Sequence, residues 1–146
     1  LSRGAVVGLT LATGRGDVAK AMLECLAFEL AINLEALSAA GVAVDRLTAV
    51  GGGAKSPVWL QIKADVLGVP IRTLACKESG CLGAAIIAGA GAGVYTSIAE
   101  GVGRAVRRES IYEPDPERVS AYAERFSLYR ELHGALRPIH ARMGPA

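Results

Sequence analysis

The sequence predicts an α/β domain of short parallel strands with flanking helices, and three observations carry that expectation. Brief apolar runs alternate with longer amphipathic stretches from Leu47 to about Ala92. Glycine and proline punctuate the changes of period, as at Gly41, Gly68 and Pro70. Helical stretches between short apolar strands imply parallel pairing through βαβ crossovers. With 146 residues, 51% of them hydrophobic, the chain has the material for one ordinary domain with a real core.

Taken in order, Gly4 to Leu11 reads as a short, mostly buried strand, and Thr13-Gly14-Arg15-Gly16-Asp17 has the turn and cap chemistry of a helix start. A long helix is expected from Val18 to Leu37. Its apolar stripe is Met22, Leu26, Leu30, Leu34 and Leu37, widened by Ala19, Leu23 and Ala27, and it is expected to cover a face of the sheet before Gly41 closes it. A strand at Leu47 to Val50, a helix at Val58 to Leu67, a strand at Ile71 to Leu74 and a helix from Cys81 to about Ala92 follow. Gly80, Gly83, Ala84, Ala85, Ala88, Gly89, Ala92 and Gly93 leave this third helix almost bare on one face. Small residues there admit a close backbone or ligand, or intimate packing on the sheet. Ser97 to Val102 reads as a short helix and Arg107 to Tyr112 as an edge strand. Asp115 as N-cap and Pro116 at the first position then open a last helix, which Gly144-Pro145 ends. Its stripe is Val119, Tyr122, Phe126, Tyr129, His133, Leu136 and His140, and the two histidines are expected at an interface, without the Cys or carboxylate partners of a metal site.

Composition narrows the function classes. A formal charge of +2 with scattered Lys and Arg offers no nucleic-acid footprint and no polybasic membrane patch, and Arg104, Arg107 and Arg108 read as a solvated face. Cys25, Cys76 and Cys81 lack paired CxxC spacing, which argues for a reducing, cytoplasmic setting and against a disulfide framework. The apolar stretch from Cys81 to Tyr95 falls short of the about 20 residues that span a bilayer. The start at Leu1-Ser2-Arg3, without Met or a signal-peptide layout, leads to the expectation that the chain was cut from something longer.

The most informative stretch is Gly51-Gly52-Gly53-Ala54-Lys55-Ser56-Pro57, between a strand and a helix. Ser56 suits the N-cap and Pro57 the first helical position. Consecutive glycines let a ligand approach the main chain where unpaired helical N–H groups and the positive end of the macrodipole attract anions. A GxxxxGK[ST] phosphate loop is not encoded, because Ala54 and Ala49 stand where its glycines belong. A GxGxxG dinucleotide fingerprint is absent as well. On spacing alone a nucleotide or other anion site and a plain tight turn both remain open.

The order Gly51-Gly52-Gly53-Ala54-Lys55-Ser56-Pro57-Val58-Trp59-Leu60-Gln61-Ile62-Lys63-Ala64-Asp65-Val66-Leu67-Gly68-Val69-Pro70, then Glu78-Ser79-Gly80-Cys81-Leu82-Gly83-Ala84-Ala85, resembles the C-terminal signature of the FGGY carbohydrate kinases, xylulokinase-like members above all. Gly4-Ala5-Val6-Val7-Gly8-Leu9-Thr10, Arg15-Gly16-Asp17-Val18 and Leu23-Glu24-Cys25-Leu26-Ala27-Phe28 are similar to the family too, so the resemblance runs to about Gly103. It implies a ribonuclease H-like, actin-like ATPase lobe that receives ATP in a cleft between two lobes. Gly51, Gly52 and Gly53 would then form the family's adenosine motif, with the main chain at Gly52 and Gly53 beside the α-phosphate and ribose and Ser56 near the adenine edge. Glycerol kinases usually carry Asn at the Ser56 position. Glu78 is expected to cap the following helix in the cleft wall, Asp65 to face solvent or pair locally, and Trp59 and Gln61 to serve packing and helix surface.

Phosphoryl transfer needs a metal on the β- and γ-phosphates and a carboxylate to take the hydroxyl proton. No such set is recognisable in this chain, so no catalytic or metal-ligating residue is assigned. In the family these groups belong to sequence preceding this segment. Residues 1–146 are therefore expected to be the C-terminal nucleotide-binding lobe of a sugar kinase, without its N-terminal lobe and inactive alone. The implied cofactor is ATP with magnesium held mainly by the missing part. The implied partners are ATP/ADP, a sugar such as xylulose bound mainly by the missing lobe, and a possible homodimer, with no nucleic acid and no membrane. A non-catalytic nucleotide-binding or dimerisation module is the alternative, suggested by the missing acid and the apolar last helix. Another actin-like ATPase fits the Trp59 to Asp65 spacing poorly.

Overall fold

The computed structural model describes residues 4–143, so the expected stop at Gly144-Pro145 and the first three residues lie outside the described part. The elements are α1 (Arg15–Ala39), β1 (Leu47–Ala49), a 3-10 turn (Gly52–Lys55), α2 (Pro57–Leu67), β2 (Ile71–Leu74), α3 (Ser79–Gly91), α4 (Ile98–Ala105), β3 (Arg108–Tyr112) and α5 (Pro116–Arg142). β1 pairs in parallel with β2, Leu47 opposite Ile71 and Ala49 opposite Thr73, with α2 as the crossover. β3 returns antiparallel on the other side of β2, Tyr112 opposite Ile71, which gives the order β1-β2-β3. The sheet is thus mixed, and its Arg107 to Tyr112 segment is the expected edge strand.

The helix starts follow the cap chemistry read from sequence. Ser56 Oγ accepts the Trp59 amide at 3.3 Å, and Pro57 follows it. Ser97 Oγ accepts the Glu100 amide at 3.1 Å, and Asp115 Oδ1 accepts the Glu117 amide at 3.0 Å. Each satisfies an amide that the first helical turn leaves unpaired.

Gly4 to Leu11 does not form the expected strand. Among the described residues no neighbouring strand supplies its ladder of hydrogen bonds, and its backbone turns at Gly8, where φ is 86°. Its side chains are exposed, Val6 at 57% and Leu9 at 60%.

A small core joins sheet and crossover. Leu60 and Ala64 of α2 and Ile71 of β2 are buried, with Leu47, Ala49, Leu67 and Tyr112 packed around them. The other face of α2 meets α1 and α5, so α1 covers the crossover helix and not the sheet. The inward side of α1 is also rotated from the expected stripe. Ala27 and Phe28 are buried, whereas Met22 and Leu26 are exposed. Phe28 decides this orientation, because its ring lies 5.5 Å from Phe126, 5.2 Å from Tyr129 and 6.2 Å from Tyr122 of α5. Around that cluster Tyr122 donates to Glu24 at 2.8 Å, Tyr129 donates to Glu29, and the Cys25 thiol lies 3.5 Å from the Tyr129 hydroxyl. The α5 stripe is therefore turned to α1 of the same chain, with His133 on its exposed side.

Asp65 departs most from expectation. It is 1% exposed, and its Oδ1 accepts from Gln61 Nε2 at 2.7 Å and from the Asp115 amide at 3.0 Å, while Arg118 reaches Oδ2 at 3.4 Å. Gln61 also donates to the Glu113 carbonyl at 2.9 Å. A carboxylate is tolerated at this depth because hydrogen bonds from three donors replace the water it lost. The local pair with Gln61 was legible, but the tie to the start of α5 spans 50 residues.

Further along, α3 packs on α4 and not on the sheet. The Tyr95 ring fills the space beside Gly89 and Gly101, which accounts for part of the small-residue face.

Two stability measurements check this account. Asp65→Ala strands the Asp115 amide and the Gln61 side chain and is expected to cost about 3 kcal/mol in urea unfolding, against about 1 kcal/mol for Asp65→Asn, which keeps the accepting oxygen. Equal losses would show that the carboxylate charge facing Arg118, and not the accepting oxygen that Asn retains, carries the stabilisation. The second concerns alkaline pH. Burial, then the Glu24 carboxylate, push the Tyr122 phenol from 10.0 up to about 12, and burial likewise raises Tyr129. The folded chain holds these protons more tightly than the unfolded one, so stability is full below pH 10 and falls as pH rises through 12. Tyr122→Phe is expected to flatten that decline in melting temperature between pH 9 and 12.

Candidate nucleotide-binding turn

The chain leaves β1 at Ala49 and reverses through Gly51, whose φ of 74° and ψ of −160° a side chain would strain. The following 3-10 turn is closed by the Ala54 amide donating to the Gly51 carbonyl at 3.1 Å, and Ala54 itself points inward at 7% exposure. Gly51 and Gly52 are exposed, and a Cβ built on either meets nothing within 4 Å. Their backbone is therefore open to a ligand, immediately before the first turn of an 11-residue helix.

Ser56 sits at the far end of this turn, half-buried. Its Oγ accepts from the Trp59 amide and its carbonyl accepts the Leu60 amide at 3.0 Å, which leaves the hydroxyl proton to donate outward. The four residues singled out from sequence, Gly51, Gly52, Gly53 and Ser56, thus lie on one short stretch at the N-terminus of α2.

Sequence reasoning expected Trp59 to serve packing but did not read what it packs against. Trp59 lies directly against Gly53, and Lys63 Nζ stands 3.6 Å from the centroid of the indole. Burial holds the Lys63 ammonium below the ordinary lysine value. The i, i+4 spacing of Trp59 and Lys63 was the available signal. Trp59 Nε1 is buried without an acceptor among the described residues. At the other expected wall, Glu78 takes the N-cap position of α3 but its side chain makes no cap bond.

A second concavity is of a different kind. A cleft of about 770 Å3 between α1, α2 and the start of α5 is lined in part by Lys20, Gln61, Asp65, Arg118, Tyr122 and Arg125. Its cations are already engaged, Lys20 and Arg125 with Glu24 at 3.3 and 3.6 Å and Arg118 with Asp65. The glycine turn, by contrast, offers main chain with no side chain to displace.

Among the described residues no three His, Cys, Asp or Glu side chains gather as a metal site. The donors that magnesium requires are oxygen atoms, chiefly carboxylate and phosphate, and the turn itself carries no carboxylate.

Residues 1–92 match the family model described as FGGY family of carbohydrate kinases, C-terminal domain. The chain is 31% identical over 131 residues to a xylulose kinase of Staphylococcus epidermidis, covering 90% of this chain and 26% of that protein. It is 39% identical over 133 residues to a glycerol kinase of Geobacter sp. strain M21, covering 90% and 25%. Among solved structures, the xylulose kinase from Rhodospirillum rubrum superposes with a TM-score of 0.83 at 31% identity, over 96% of this chain and 28% of that one. The chain spans about a quarter of the length of the curated relatives it matches. The α/β lobe expected from the sequence thus has the actin-like fold of solved sugar kinases, and the chain belongs to the FGGY family of carbohydrate kinases, as its C-terminal domain.

Proposed function

We propose that this domain supplies the adenosine side of the ATP site in an ATP-dependent carbohydrate kinase. The observation that carries the reading is the bare main chain of Gly51 and Gly52, open on its outer side at the N-terminus of α2. In this reading the main chain at Gly52 and Gly53 runs beside the α-phosphate and ribose. Amide groups and the helix dipole favour the negative charge there without a lysine clamp. Ser56, its oxygen already accepting from Trp59, offers its remaining proton toward the adenine edge. ATP supplies the phosphoryl group, and the acceptor is a hydroxyl of a ketose or polyol, with xylulose the first candidate.

The rest of the reaction belongs to residues outside these 146. A carboxylate to take the hydroxyl proton, the magnesium ligands and most sugar contacts are assigned to a preceding lobe, and the domain alone is inactive. The three cysteines are unpaired thiols, and no helix among the described residues is long and apolar enough to cross a membrane, which suits a cytoplasmic enzyme. A dimerisation module is less well supported, since the α5 stripe that suggested it packs on Phe28.

The test uses the complete product of the gene. It is expected to release ADP in the presence of ATP, magnesium and xylulose, with glycerol and ribulose as comparison acceptors. No ADP release with any ketose or polyol, or no ATP binding, would refute the reading. Gly52→Val adds a side chain where the fold leaves open space, so melting temperature is expected to hold within about 3 °C. The KM for ATP is expected to rise about tenfold or more, with the KM for sugar unchanged. An unchanged KM for ATP would remove the glycine turn from the site.

A further inference from the structure

We propose that Trp59 is the positioning residue of the nucleotide turn, its indole occupying the space that a side chain at position 53 would need and thereby fixing the Gly53 main chain at the lip of α2. The inference rests on the adenosine-side reading of that turn. A Cβ built on Gly53 lies 2.8 Å from Trp59 Cζ3, 3.4 Å from Cε3 and 3.5 Å from Cη2. The first distance is well inside the separation of about 3.5 to 4.0 Å at which carbon atoms rest against one another. The contacting atoms all belong to the six-membered ring of the indole, so that edge is the surface on which Gly53 sits.

The ring is itself held. Ser56 caps the helix through the Trp59 amide, which anchors the backbone beneath the indole. Lys63, one helical turn later, brings its ammonium to 3.6 Å from the ring centroid, a cation–π contact. Desolvation of Lys63 strengthens that contact, since the ammonium has lost part of its competing water. The indole N–H has no acceptor among the described residues, so shape and the cation hold the ring, and not a hydrogen bond. Gly51 and Gly52 have no comparable neighbour. Of the three glycines, only Gly53 has a side chain within reach of a built Cβ.

This arrangement predicts a coupling between positions 53 and 59 that appears in nucleotide binding. In the complete gene product, Gly53→Ala forces its new methyl against Trp59 and displaces the turn. The KM for ATP is expected to rise about tenfold while the KM for sugar stays within twofold. In a Trp59→Leu background, which vacates the contacting edge, adding Gly53→Ala is expected to change the KM for ATP less than twofold. Trp59→Phe keeps a ring for Lys63 but vacates the outer benzo carbons Cζ3 and Cη2 that meet position 53, and it carries the same comparison should Trp59→Leu fail to fold. Circular dichroism and melting temperature accompany each variant. A general loss of structure would raise both KM values and lower kcat, whereas a positioning role moves the KM for ATP alone. Additive effects of Gly53→Ala in the Trp59 and replaced backgrounds, with ATP still bound by the unmodified protein, would overturn this inference and leave the adenosine-side reading intact. Absence of ATP binding by the unmodified protein would overturn both.

Discussion

Asp65 is the point at which the helices of this domain are tied together. Its carboxylate lies 1% exposed on α2, and the groups that satisfy it come from one turn earlier on α2 and from the start of α5. A buried carboxylate without donors costs several kcal/mol, so α2 and α5 must keep the register that supplies them. That register orients α5 so that Tyr122, Phe126 and Tyr129 meet Phe28, which in turn chooses the inward face of α1. The adjoining face of α2 contributes Leu60 and Ala64 to the core beneath the sheet. One short helix is thus packed on both sides, and the turn that precedes it is carried on the most constrained element of the domain.

The division of labour within the proposed site follows from that rigidity. A ligand held by main-chain groups depends on where the backbone stands and not on side-chain chemistry, so the backbone must be supported from below. Gly51 provides the reversal, Gly52 the open surface and Gly53 the close seat on Trp59. The cleft between α1, α2 and α5 is larger in outline, yet its cations are already engaged by Glu24 and Asp65. Volume alone would have favoured the cleft, and the state of its hydrogen bonds and ion pairs favours the turn.

Most elements were legible because local rules decided them. The caps at Ser56, Ser97 and Asp115, the prolines that follow two of them and the glycine after α2 act within one helical turn, and these boundaries agree with the sequence reading to within three residues. The strand expected at Gly4 to Leu11 failed for a non-local reason: an apolar run becomes a strand only where a neighbour completes its hydrogen bonds. The stripe on α1 failed likewise. Periodicity marked Met22 and Leu26 and also Leu23 and Ala27, and the aromatic cluster on α5 selected the second pair. His133, expected on the apolar stripe, is exposed, while its neighbour Leu132 is half-buried.

The amino-acid order by itself determined the strand–turn–helix unit from Leu47 to Leu67 and, through spaced motifs, the family. These depend on contacts within a few residues or on matching residues in order. Tertiary structure alone decided that Asp65 is buried, that α1 covers α2, that the apolar face of α5 is occupied within the chain and that Trp59 underlies Gly53. Each of these depends on which surfaces meet after the chain has turned back on itself, and burial at Asp65 is set there by partners as many as 53 positions away.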